Sequence, residues 1–157
     1  MGACRNGGVF MHILTTEPRE YAFARERFSK FGHQIYLIKG GIWSLDAAKR
    51  LNIPQMADVM VFGFAAGSGI SLGAEVWVDK IAVYAPSRGH DVVARPLRPD
   101  IEGAPKCELA CYTTPEIPAR KPNNTVEGAV LFDRELALIA TIFPRLTAWK
   151  IVTKAIG

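Results

Sequence analysis

The sequence predicts an α/β fold: a single domain with a central mixed or parallel sheet flanked by helices. Three observations carry that prediction. Apolar runs of strand length alternate with segments of helical period. Two of the runs, residues 58–64 and 75–84, are apolar along most of their length, as strands covered on both faces are. The chain has 157 residues, 49% hydrophobic and 22% charged, which suits one soluble globular domain with a sizeable core.

The elements follow in order. Residues 11–16 (MHILTT) read as a first strand, with residues 1–10 a loose leader and residues 11–157 the domain. Residues 18–30 predict a helix. Pro18 suits its first turn, where no N–H is needed, and Tyr21, Ala24, Phe28 and Phe31 recur at helical spacing before Gly32 ends it. Residues 34–39 read as a strand and Gly40 and Gly41 as a turn. Residues 44–52 read as a short helix with Ser44 as N-cap, broken by Pro54. Strand 58–64 then runs into a tight loop of small residues, 63–68 (GFAAGS), and residues 75–84 form a second long strand. Residues 85–106 hold four of the ten prolines and read as loop. Residues 107–112 read as a strand, 113–125 as loop, 126–132 as a strand, 133–143 as a helix and 148–155 as a last strand.

Composition narrows the function classes. The longest apolar runs are too short to span a bilayer, and no membrane segment is expected. The N-terminus lacks the apolar core of a signal peptide, and Asn6 stands where a myristoylation pattern needs Ser or Thr. Three cysteines without a secretion signal fit a reducing compartment, so a cytoplasmic protein is expected. Cys107 and Cys111, four apart in a strand, fall on one face and read as two buried small residues. His12, His33 and His90 show no ligand spacing, so neither metal nor cofactor is expected. A net charge of +4 suits an anionic or nucleotide-like ligand. The Arg and Lys residues are spread out rather than clustered with aromatics, so nucleic acid is not the expected partner.

A strand that ends in small residues lets a ligand come close to the backbone. The segment from Asp58 to Val76, DVMVFGFAAGSGISLGAEV, resembles the nucleoside phosphorylase and nucleosidase superfamily, in which a strand-end G-x-A-G-G loop precedes L-x-x-G-D-V-V and a long strand. The likeness extends in compressed form over residues 11–157. It implies a shortened nucleoside phosphorylase-like fold.

The opening ILTTEPREYAFARERF is similar to the family's strand, acidic turn and Arg-rich helix. On that match Glu20 falls where nucleosidases carry the glutamate that activates the attacking water, a task for a carboxylate that takes a proton. Read locally, Glu20 is a solvated glutamate in the first turn of a helix, where it favours the dipole. The 63–68 segment resembles the loop beside the ribose, with Phe64 and Ser68 replacing smaller residues. Ala65, Ala66 and Gly67 would line the sugar, or simply pack a strand end tightly. VLFDRELALIATI resembles V-E-M-E-x-x-x-x-A: Glu135 matches the glutamate that holds the ribose hydroxyls, Asp133 matches the first acid, and Arg134 replaces a methionine that packs on the sugar. The local alternative is that Asp133 caps the helix and Glu135 is exposed on it. KGGIWSLDAAK resembles the scaffold turn G-I-G-K-x-x-A-A. IVTKAIG resembles V-V-R-A-I-S-D, with Lys154 at the arginine; the family's aspartate, which protonates the leaving purine, falls beyond Gly157.

The resemblance implies hydrolysis of the N-glycosidic bond of a purine nucleoside or thionucleoside through an oxocarbenium-like transition state. Hydrolysis is favoured over phosphorolysis, because no Arg matches the family's phosphate-binding pattern. The implied partners are a small-molecule nucleoside, with phosphate as a candidate second ligand, and a second copy of the chain in a homodimer. The alternative reading is a catalytically degenerate nucleoside- or nucleotide-binding protein that lacks the general acid.

Overall fold

The structure, a computed structural model, describes residues 10–29, 32–86 and 89–157. In these the chain runs β1 (His12–Thr15), α1 (Pro18–Phe28), β2 (Gln34–Leu37), a 3-10 turn (Gly41–Trp43) leading into α2 (Ser44–Lys49), β3 (Val59–Ser68), β4 (Glu75–Ala85), β5 (Gly89–Ala94), β6 (Cys107–Thr113), β7 (Val130–Asp133), α3 (Leu136–Ala140) and β8 (Leu146–Ala155). The mixed sheet agrees with the sequence-based expectation. Its closure is new. β3 pairs with β7, β7 with β6, β6 with β4, β4 with β8, and β8 again with β3, so five strands form a closed ring. β1 and β2 extend the sheet in parallel from β3, and β5 pairs along β4.

β3 is the strand that makes this arrangement work. Val59, Met60 and Val61 pair with β1, whereas Ala66, Gly67 and Ser68 pair with β7. The register against β8 shifts between Ala65 and Ala66, and such a bulge bends a strand and raises its twist. Apolar clusters then hold the ring. Phe28 on α1 meets Phe62 and Trp149 edge to face, with ring centroids 5.2 Å apart in both cases, and Trp77 meets Trp149 at 5.4 Å. On the other side Leu136, Ile139 and Phe143 pack with Val61, Val78, Ile81 and Leu146.

Several elements differ from the sequence reading. The small-residue segment 63–68 is not a loop. It is the second half of β3, kept extended by hydrogen bonding to β7 and β8, and the turn comes at Gly69, whose φ of 75° suits glycine. Ser44 is the first residue of α2 rather than its N-cap; Trp43 takes that place, and Ser44 Oγ donates back to the Gly41 carbonyl at 2.8 Å. Residues 85–106 are not all loop, because β5 pairs with β4 and sets His90 opposite Tyr84. The strand expected at 126–132 shrinks to Val130–Asp133, and the helix expected at 133–143 to Leu136–Ala140, since Asp133 is the last paired residue of β7. Cys111 is buried, but Cys107 is exposed: burial along β6 rises from its solvent-facing start to its end. The leader except Phe10, together with Lys30 and Phe31, lies outside the described residues. No helix among those described is long and apolar enough to cross a membrane.

Candidate active site

α1 begins directly after β1. Its buried face carries Glu20, Ala24 and Phe28, each four residues from the next, so the helical repeat that seats Phe28 in the core also turns Glu20 inward. Glu20 is only 4% exposed, which excludes the solvated reading. One of its carboxylate oxygens accepts the Thr16 N–H at 2.8 Å and the Thr16 hydroxyl at 3.2 Å; the other accepts the Phe64 N–H at 2.8 Å. Burial pushes its carboxyl above the usual range, while Lys150 and the Phe64 and Thr16 N–H groups pull the other way. The carboxylate has room only because residue 63 is glycine. A Cβ there would lie 2.8 Å from Glu20 Oε2.

Glu135 approaches the same cavity from the residue that precedes α3. Its Oε1 accepts the Gly41 N–H at 3.2 Å and its Oε2 the Arg134 N–H at 3.3 Å. Gly40 makes this fit: a Cβ on it would lie 2.7 Å from Glu135 Oε1. The turn that the sequence assigned to scaffold therefore positions a carboxylate.

These groups line a cavity of about 290 Å³ that also takes in Glu17, Ala65, Ala66, Asp133, Arg134, Thr153 and Lys154. It lies near the lower end of the usual size range for small-molecule pockets, about 300–1,000 Å³. Of the residues named from sequence, Gly67 is set apart. It packs against Ile70 and Val152, and a Cβ on it would come within 2.7 Å of the Ile70 side chain. The Arg134 side chain crosses the Gly41 backbone, with Nε donating to the Pro115 carbonyl at 3.2 Å.

Asp133 borders the cavity, but its carboxylate is engaged beneath it. One oxygen accepts the Thr113 hydroxyl at 2.7 Å; the other accepts the Leu136 N–H at 2.9 Å and meets Lys150 Nζ at 3.1 Å. The helix-capping geometry is thus present, with a buried ion pair added to it. Lys150 was missed in the sequence reading. Its signal was available, since it is a lone charge in the apolar run TAWKIV, and a lysine there needs a buried partner.

No protein-family model and no curated protein matches the sequence. Solved structures do match it. The chain is similar to the MTAN of Chlamydia trachomatis, 15% identical, with 92% of this chain and 81% of that one covered and a TM-score of 0.62. A form of that protein bound to MTA is 14% identical over 94% and 82% of the two chains, with a TM-score of 0.60. The 5'-methylthioadenosine/S-adenosyl homocysteine nucleosidase (MTAN) of Campylobacter jejuni is 13% identical over 96% and 87%, with a TM-score of 0.62. The chain has a nucleosidase-like fold. Within that nucleosidase-like fold, the cavity at the bend of β3 gathers Glu20, Ala65, Ala66, Arg134 and Glu135 from segments distant in sequence.

Proposed function

We propose that this chain hydrolyses the N-glycosidic bond of a purine nucleoside or thionucleoside. The observation that carries the reading is the pair of carboxylates, Glu20 and Glu135, each held by backbone N–H groups and opening on one small cavity. Two aligned acceptors on one carboxylate suit the two adjacent hydroxyls of a ribose, and Glu135 takes that role. Glu20 takes a proton from water as the water's oxygen adds to the sugar carbon; the bond to the base breaks with its electron pair going to the base, which departs as an anion and takes its proton from solvent water. Ala65 and Ala66 keep the β3 side of the cavity shallow enough for the sugar. A structurally similar protein is bound to MTA in one solved structure, as a point variant, and to adenine in another, which favours this ligand class.

Base release decides the reading. Adenosine, 5'-methylthioadenosine and S-adenosylhomocysteine are incubated with the protein, with and without phosphate, and free base is measured. Release without phosphate supports hydrolysis, and a requirement for phosphate would transfer the reading to phosphorolysis. No release at high protein concentration, with a nucleoside still raising the melting temperature, would make this a nucleoside-binding protein.

The close approach at β3 gives a second expectation. Gly63→Ala forces Glu20 Oε2 away from its seat, because real Cβ contacts do not reach 2.8 Å. Base release is expected to fall by at least about tenfold, in line with the cost of displacing a reacting group by a fraction of an ångström to an ångström. Nucleoside affinity, which rests on Glu135, is expected to change far less. An equal loss of both would count against separate roles.

A further inference from the structure

Lys150 is the only buried cation among the described residues, its side chain 2% exposed. It sits on β8 opposite Gly63 of β3, the residue against which the Glu20 carboxylate rests. Its ammonium pairs with Asp133 at 3.1 Å, and the Asp133 side chain is 1% exposed. From there a chain of bonds grips the first turn of α3. Asp133 accepts the Leu136 N–H at 2.9 Å and the Thr113 hydroxyl at 2.7 Å, and Thr113 Oγ accepts the Ala137 N–H at 2.9 Å. Glu135 lies between Asp133 and that turn, so its direction into the cavity depends on this clamp.

We propose that Lys150 is a positioning residue of the site: it anchors Asp133 and with it the backbone that aims Glu135, and it supplies the positive charge that lets Glu20 and Glu135 face one cavity. A buried ion pair is by itself poor evidence of a stabilising device, since well-packed apolar residues often do as well. What singles this one out is its place under two further carboxylates. Burial alone would lower the ammonium's pKa; Asp133 first, then Glu135, Cys111 and Glu20, outweigh it and hold Lys150 charged above its ordinary range. In return Lys150 restrains the rise of the Glu20 carboxyl, which burial and Glu135 drive upward. Glu17, Arg134 and Lys154 line the same cavity as Glu20.

The role in the reaction rests on the proposed function; the effect on Glu20 does not. The test therefore has one arm without substrate. Lys150→Met alone leaves Asp133 buried and unpaired, so the informative variant is Lys150→Met combined with Asp133→Asn, which removes both charges. Its folding is checked by circular dichroism and its melting temperature. Titration of 13C-labelled glutamate carboxyls by NMR then follows Glu20 in the wild type and in this variant. The Glu20 midpoint is expected to rise by about one pH unit, a tenfold change in its ionisation equilibrium. Adenosine affinity, by calorimetry, is expected to fall by about tenfold as Glu135 loses its support. A folded variant whose Glu20 midpoint stays put and whose adenosine affinity is unchanged would overturn the proposal. If the double variant does not fold, Lys150→Arg provides the second comparison. It keeps the charge on a different head, and a Glu20 midpoint within a few tenths of the wild type is expected, with a shift as large as one unit overturning the electrostatic role. A wild type that neither binds adenosine nor releases base refutes the proposed function, and the NMR arm still decides the effect of Lys150 on Glu20.

Discussion

Replacing Glu20 by Gln is expected to lower base release by about 10²- to 10⁴-fold, the usual worth of a general base. Glutamine matches glutamate in shape but cannot take the proton from water. The substitution also removes a hydrogen bond and sets two donors face to face, because Thr16 and Phe64 both offer N–H groups to Glu20 and an amide has one acceptor oxygen. A loss of about 1–3 kcal/mol in stability is expected from that mismatch, well short of unfolding a domain of this size. The rate must therefore be read beside the melting temperature and the nucleoside affinity. The pH profile gives an independent check. A base works when deprotonated, and burial raises the Glu20 carboxyl above its ordinary value of 4.5. In the wild type kcat/KM is thus expected to climb with pH through a midpoint above 4.5, and Glu20→Gln is expected to remove that limb. A wild-type limb that survives in the variant would transfer the base role to another group.

Asp133→Ala is expected to destabilise the protein by about 3–5 kcal/mol, the range for breaking one side of a buried ion pair. The cost is high because buried Lys150 would lose the carboxylate that pairs with it at 3.1 Å, and the Leu136 N–H and the Thr113 hydroxyl would each lose their acceptor. For a chain of this length the melting temperature is expected to fall by roughly 10 °C. Calorimetric unfolding checks it. A fall of only a degree or two, with nucleoside affinity strongly reduced, would instead place Asp133 on the sugar.

The site was partly legible in the chain. Glu20 was legible through the resemblance of its opening segment, ILTTEPREYAFARERF; read locally it was a solvated first-turn glutamate, and its place on the buried face with Ala24 and Phe28 came only with the structure. Glu135 was legible only beside Asp133, in an acidic pair at a strand–helix junction. Their companions were not. Gly40 looked like an ordinary turn residue, and its function as the space beside Glu135 exists only once α3 is docked against it. Arg134 read as a departure on the sugar, and the structure ties its Nε to the Pro115 carbonyl. Gly67 read as a site residue because it belongs to a small-residue run, but alternation along β3 and the bulge before it turn that position toward Ile70 and Val152.

The sequence by itself determined the α/β class, the places of β1, β2, β4 and β8 to within a few residues, and the helix that presents Glu20. Those features depend on local periodicity and on breakers such as Pro18, Gly32 and Pro54, which act over a few residues. Only the tertiary structure decided that β3 continues through the small residues, that five strands close on themselves, and that Lys150 sits beneath the two glutamates. Each of these depends on pairing between segments far apart in the chain, and no local pattern encodes which distant strand will supply the partner.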